Sequence, residues 1–137
     1  MHCDLVYATP TTRFQTPFLD LGLVPEAGSS LIGPRIMGHQ RAFELLVLGE
    51  AFSAERAKNA GLINAIVESE ALETTALDAA HRLAAKPRQA MLASRRLLRG
   101  DTAGLSAAIE TEAAIFAERL SSNEAQLAFK AFFNRKS

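Results

Sequence analysis

Apolar positions change their rhythm about half-way along this chain. Up to Val67 they come in short runs, and from Ser69 onward they recur every three or four residues. Cys3–Ala8, with Leu5, Val6 and Tyr7, reads as a short strand bounded by Thr9-Pro10. Phe14 to Leu21 reads as extended chain leading into a loop. Gly28-Ser29-Ser30 then offers small residues and N-cap hydroxyls for a helix start, and Gly33-Pro34 predicts a break or restart at Pro34. Ala42, Leu45, Leu46 and Leu48 give the next helix an apolar side, with Gly49 as its stop. Ser53 caps a short helix ending at Gly61, and residues 62–67 read as a second strand.

The remainder is helical throughout. Leu72, Ala76, Ala79, Ala80 and Leu83 share one face, and Pro87 interrupts. Arg88 to Arg99 forms a second helix stopped by Gly100, and a third places Ile109, Ala113, Phe116, Ala117 and Leu120 along one stripe. Ser121-x-x-Glu124 is a capping-box pattern for a last helix through Phe132. Resets at Pro87, Gly100 and Ser121 exclude a long coiled coil, and the stripes read more readily as core than as partner surface. The chain shows no linker, low-complexity segment or internal repeat.

Composition narrows the function. Fifteen basic and fifteen acidic residues cancel in this 137-residue chain, so charge argues for neither nucleic acid nor a membrane surface as partner. Cys3 is alone, which excludes an intramolecular disulfide and points to a reducing compartment. No apolar run approaches the ~20 residues that span a bilayer. The start lacks a signal-peptide pattern and the end lacks a Ser-Lys-Leu address, so a cytoplasmic protein is expected. His2, His39 and His81 stand apart with no ligand spacing, so no metal site is expected. Ser29 and Ser30 sit in no nucleophile turn.

Glu26 is the candidate for chemistry. It lies in Pro25-Glu26-Ala27-Gly28-Ser29-Ser30, after the apolar Leu21, Leu23 and Val24. A carboxylate stripped of water by such neighbours suits proton transfer near neutral pH. Equally, a carboxylate at a helix start is favoured by the dipole alone. Spacing leaves both readings open.

Two longer stretches, FQTPFLDLGLVPEAGSSLIGPRIMG and AFELLVLGEAFSAERAKNAGLINAIV, resemble the second half of the crotonase family, the enoyl-CoA hydratases and isomerases. The shared features are Phe-x-x-Pro, Leu-Gly-Leu-x-Pro, a short helix with Pro-Arg and then Gly, and a Ser-x-x-x-Ala-x-x-x-Gly-Leu unit before a strand. The resemblance is unbroken over residues 3–67 and looser beyond. It implies an α/β, helix-rich, ClpP-like fold with few short strands. Residues 1–67 would be the C-terminal part of the core with the active-site loop. Residues 68–137 would be a helical region that covers the acyl pocket and forms a trimer.

Function follows from the same resemblance. Hydratases of the family carry a glutamate directly after the proline of Phe-x-x-Pro, where this chain has Phe18. Pro25-Glu26 with small residues after it is similar to the Δ3,Δ2-enoyl-CoA isomerase branch, which implies Glu26 as a single catalytic base in fatty acyl-CoA metabolism. Phe18 and Leu23 would then contact substrate. Phe132 and Arg135 match the spacing of an aromatic and a basic residue that reach the CoA adenine of a neighbouring subunit. Coenzyme A enters as part of the acyl-CoA thioester, with no separate cofactor, and a homo-oligomer, trimer or hexamer, is implied. Family members place a Gly-Gly-rich turn, a helix and both oxyanion donors before the Cys-Asp strand. The chain is therefore expected to be a second half that is inactive alone. A hydratase, and a non-catalytic acyl-CoA-binding or assembly relative, are the alternatives.

Overall fold

The computed structural model describes residues 1–100 and 102–134. Helices dominate, and the strands are short pairs. β1 (Tyr7–Ala8) runs parallel to β4 (Ala65–Ile66), while β2 (Arg13–Phe14) runs antiparallel to β3 (Phe52–Ser53). The strands expected over 3–8 and 62–67 thus contract to two residues each. Pairing continues one step further through a side chain. Asn64 donates its backbone N–H to the Val6 carbonyl at 2.7 Å, and the Val6 N–H goes to the Asn64 Oδ1 at 2.7 Å. Residues 1–5 are exposed, with no strand beside them among the described residues.

After β2 the chain does not stay extended to Leu21. Leu19–Leu21 close into a 3-10 turn, and Gly22 leaves it in the left-handed region at φ 70. α1 (Ser29–Met37) and α2 (His39–Leu46) follow, separated at Gly38 rather than at Pro34. Pro34 cannot donate to the Ser30 carbonyl, yet α1 continues through it to Met37. Leu48 lies past the end of α2 and is exposed, so it is not part of the apolar side expected for that helix.

The core forms where α1, α2 and β3 meet. Phe52 is fully buried among Met37, Ala42, Leu45, Leu46 and Ala60, with Phe14, Phe18, Ile36, Val47 and Leu62 packed around them. Ala8, Ala57 and Ile63 make a smaller cluster beneath β1. α3 (Ala54–Asn59) begins as its sequence implies, because the Ser53 hydroxyl accepts from the Arg56 N–H at 3.2 Å. Arg56 also lies 4.1 Å over the Phe52 ring and pairs with Glu44 at 2.6 Å.

The second segment consists of α4 (Leu72–Ala84), α5 (Arg88–Arg99), α6 (Ala103–Leu120) and α7 (Asn123–Asn134). Pro87 and Gly100 end or start these helices where expected. Burial does not follow the apolar stripes. On α4 only Ala79 is buried and Leu83 is exposed. On α5 no residue is buried, and Leu97 and Leu98 are 82% and 90% exposed. On α6 the covered face is Leu105, Ala108, Glu112, Phe116 and Arg119, so of the stripe expected there only Phe116 belongs to it. At α7 the cap is Ser122, whose hydroxyl accepts from the Ala125 N–H at 3.2 Å. Ser121 instead bonds back to Glu118, and Glu124 pairs with Arg119, so the capping box does not form.

Gly22 is fixed by both conformation and space. A Cβ there would lie 2.8 Å from the Ala125 backbone nitrogen, where α7 crosses the 3-10 turn. Gly22→Ala is expected to lower stability to urea by at least the ~1–2 kcal/mol of left-handed strain, with displacement of α7 added.

α5 is tied down mainly by charge. Arg95 donates to Asp4 at 2.7 Å, and Arg99 reaches Asp4 at 2.9 Å and the His2 carbonyl at 2.5 Å. The Arg95 hydrogen bond, opposed by desolvation and joined by Arg99, holds the Asp4 carboxyl below its ordinary 3.8. A depressed folded value stabilises above the unfolded value and ceases to as pH falls through the folded one. Amide exchange in α5 is therefore expected to be insensitive to pH above 3.8, after correction for intrinsic rates, and to accelerate below it. Asp4→Asn should remove the pH step.

Candidate active site

The segment from Leu23 to Ser30 joins the 3-10 turn to α1. Leu23 is buried, Val24 and Pro25 are half-buried, and Glu26 is exposed. Two consecutive left-handed residues then turn the chain, Ala27 at φ 58 and Gly28 at φ 75. Ala27 is the only non-glycine with positive φ among the described residues. The Glu26 carbonyl accepts from the Ser29 N–H at 3.1 Å, and the Gly28 carbonyl accepts from Ile32 at 2.9 Å. His2 donates through Nε2 to the Ala27 carbonyl at 2.6 Å.

Gly28 occupies the N-cap position, so the hydroxyls of Ser29 and Ser30 do not cap α1 as their sequence position implied. The acceptor comes from α6 instead. Glu112, only 6% exposed, accepts from the Gly28 N–H at 2.5 Å through Oε2. Its Oε1 accepts from the Ser30 N–H at 2.9 Å and from the Ser30 hydroxyl. Gly28 suits the turn through its φ of 75, and a Cβ there would displace the end of the Leu105 side chain and press on Ile109 of α6. Ser29 Oγ is buried without a partner among the described residues.

A cavity of about 460 Å³ opens between the loop, α1 and α6. Val24, Pro25, Leu31, Ala107, Ala108 and Ile115 give it apolar walls, and Ser30, Thr111 and Glu112 supply its polar atoms. Glu26 follows Pro25 in the chain but does not line the cavity. No hydrogen bond or ion pair among the described residues holds the Glu26 carboxylate. The chain itself does not strip Glu26 of water as its apolar neighbours in sequence implied.

The other expected site residues lie apart. Phe18 packs on the α1–α2 core, and Leu23 is buried at the loop's entrance. Phe132 sits on the last turns of α7, edge-on to Phe133 at 5.7 Å. Arg135 lies outside the described residues. Among the described residues no group of three or more His, Cys, Asp or Glu could hold a metal, and no helix is long and apolar enough to cross a membrane. Sequence reasoning missed Glu112. The available signal was a glutamate at the third position of an i, i+3, i+7, i+11, i+14 series that is otherwise largely apolar, Leu105, Ala108, Glu112, Phe116 and Arg119.

Comparison with known proteins identifies the architecture. A family model described as Enoyl-CoA hydratase/isomerase matches residues 1–137. The crystal structure of an enoyl-CoA hydratase/isomerase from Pseudoalteromonas atlantica T6c superposes with a TM-score of 0.94 at 38% identity, covering 98% of this chain and 54% of that one. Enoyl-CoA delta isomerase 2 of Rattus norvegicus is 34% identical over 134 residues, which is 97% of this chain and 34% of the relative. The short-chain-enoyl-CoA hydratase of Clostridium acetobutylicum is 28% identical over 137 residues, covering 99% of this chain and 52% of the relative. The chain thus spans about half or less of the length of these relatives.

The left-handed Ala27 gives the loop a direct test. A β-branched side chain is poorly tolerated there, so Ala27→Val is expected to destabilise by about 1–2 kcal/mol in urea unfolding. Ala27→Gly should cost little, since glycine adopts that φ freely. Equal losses in the two variants would show that φ at residue 27 is not the constraint.

Proposed function

The chain belongs to the enoyl-CoA hydratase/isomerase family, and on that premise we propose that Glu26 is the base of a Δ3-to-Δ2 enoyl-CoA isomerase. One observation carries the reading. Of the two carboxylates at the loop, Glu112 has both oxygens engaged, and Glu26 alone is unpartnered among the described residues. Isomerisation needs one such group. Glu26 takes a proton from C2 of the 3-enoyl thioester, leaving a dienolate, and returns it at C4 to give the 2-enoyl thioester. Hydration requires a water held and activated, commonly by two carboxylates. Phe18, in the position where the resemblance puts the hydratases' first glutamate, supplies none.

The apolar cavity beside Pro25 suits the acyl chain, whose burial would keep water from the dienolate. The enolate oxygen needs converging N–H donors. By the resemblance these belong to a segment outside the 137 residues. Phe132 and Arg135 are assigned to the CoA moiety bound by a neighbouring subunit, in a trimer or hexamer. A reducing, cytoplasmic setting accords with the lone Cys3. A hydratase remains the second reading, because the Clostridium relative bears that name and is matched over 99% of this chain.

The test uses a polypeptide in which the upstream half of a family fold precedes residue 1. Glu26→Gln keeps the shape and cannot accept the C2 proton. It should lower formation of the conjugated 2-enoyl thioester from a 3-enoyl-CoA about 100- to 10,000-fold, with acyl-CoA binding largely retained. Turnover at the parent rate would reduce Glu26 to a helix-start carboxylate. Faster hydration of a 2-enoyl-CoA than isomerisation of a 3-enoyl-CoA by the parent would favour the hydratase reading.

A further inference from the structure

A helix start leaves its first N–H groups without partners one turn back, and the loop ahead of it is only as rigid as whatever satisfies them. In α1 the N-cap is a glycine and no local side chain serves. The satisfying group is Glu112, 84 residues away in sequence, with both oxygens committed to Gly28 and Ser30. Those donors begin two residues after Glu26. The backbone angles of residues 26–28 set the direction in which the Glu26 side chain leaves the loop, and two of those residues hold left-handed angles. At Ala27, which unlike Gly28 carries a Cβ, such an angle persists only where the surroundings over-determine it.

We propose that Glu112 is a positioning residue for Glu26. By fixing the amides of Gly28 and Ser30 it holds the turn at 27–28, and so fixes the direction of the Glu26 carboxylate relative to the cavity that Pro25 and Glu112 line. It is not a second base, because each of its oxygens already accepts from the loop. His2 holds the same turn from the other side through the Ala27 carbonyl, and it leaves the amides to Glu112. The inference rests on the assignment of Glu26 as base, and its test separates the two.

The first arm needs no catalysis. In the 137-residue chain, Glu112→Ala is expected to accelerate amide exchange at Gly28 and Ser30 by tenfold or more, with α2 and α3 unchanged. Glu112→Gln, which keeps the shape and one good acceptor, should give a smaller rise, and Ser30→Ala the smallest. These milder variants keep the test open if the alanine variant does not fold. Unchanged exchange at Gly28 and Ser30 in Glu112→Gln and Ser30→Ala would overturn the proposal. So would an equal rise throughout α1, α2 and α3, which would make Glu112 a packing residue.

The second arm is kinetic, in the longer polypeptide used for Glu26→Gln. Glu112→Gln should lower kcat for the 3-enoyl thioester tenfold or more and change KM less than twofold. A rise in KM with kcat unchanged would place Glu112 in substrate binding and overturn its positioning role. If Glu26→Gln turns over at the parent rate while exchange at Gly28 and Ser30 still rises in the Glu112 variants, the failure lies with the base assignment, and the clamp on the loop stands.

Discussion

At the start of α1 the N–H groups of Gly28 and Ser30 find their acceptor in no neighbouring turn, and the residue in the capping position is Gly28. A buried carboxylate on another helix meets them. Glu112 is itself a liability unless its oxygens are satisfied, since a buried charge without partners is costly. Two groups that would each be expensive alone therefore cancel one another, and they can do so only while α6 lies against the start of α1. The loop, the helix it opens and the cavity wall are thereby fixed as one unit.

Sterics reinforce the same arrangement. Position 28 carries no side chain, and the end of the Leu105 side chain of α6 occupies the space a Cβ would take. At the far end of α6, Arg119 reaches the Gly22 carbonyl at 3.4 Å, and α7 presses on Gly22 itself. The segment from Gly22 to Gly28 is thus bracketed by two glycines, each facing a helix of the second half of the chain. Glu26 lies inside that bracket, which is why its position depends on residues 80 to 100 places further along.

Much of this was legible from residue types. Ser53 as a cap, Gly61 near a helix end, Pro87 and Gly100 as stops are local effects, decided by a side chain or a φ value within a turn of where they act. The strands are shorter than β-propensity implies because Leu5 has no strand beside it among the described residues, and past Ile66 the pairing ends in a single bond from the Val67 N–H to the Ala8 carbonyl at 2.9 Å. Glu112 escaped notice for a different reason. An apolar-stripe count treats a glutamate as solvent-facing and slides the covered face toward Ile109 and Ala113, whereas the true face is set by a long-range hydrogen bond that no periodicity records. Ser121 misled in the same manner, since Glu124 found Arg119 and left the cap to Ser122.

Exposure of Glu26 bears on how a single carboxylate could do its work. Removing a proton beside a thioester is hard when water competes for both base and enolate, and a base open to solvent has no protection of its own. The cavity beside Pro25, walled by Val24, Pro25 and Leu31 with Ala107, Ala108 and Ile115, is largely apolar and leaves about 460 Å³ unfilled. An acyl chain filling that space would remove water beside Pro25, the residue that precedes Glu26. Shielding would then accompany substrate binding and would not burden the free chain with a buried, unpaired charge. The cost falls on orientation, because an exposed side chain on a loop has many rotamers to lose. A backbone held rigidly at Ala27, Gly28 and Ser30 limits that loss to the side chain alone, so in this reading the clamp by Glu112 and the exposure of Glu26 are two parts of one solution.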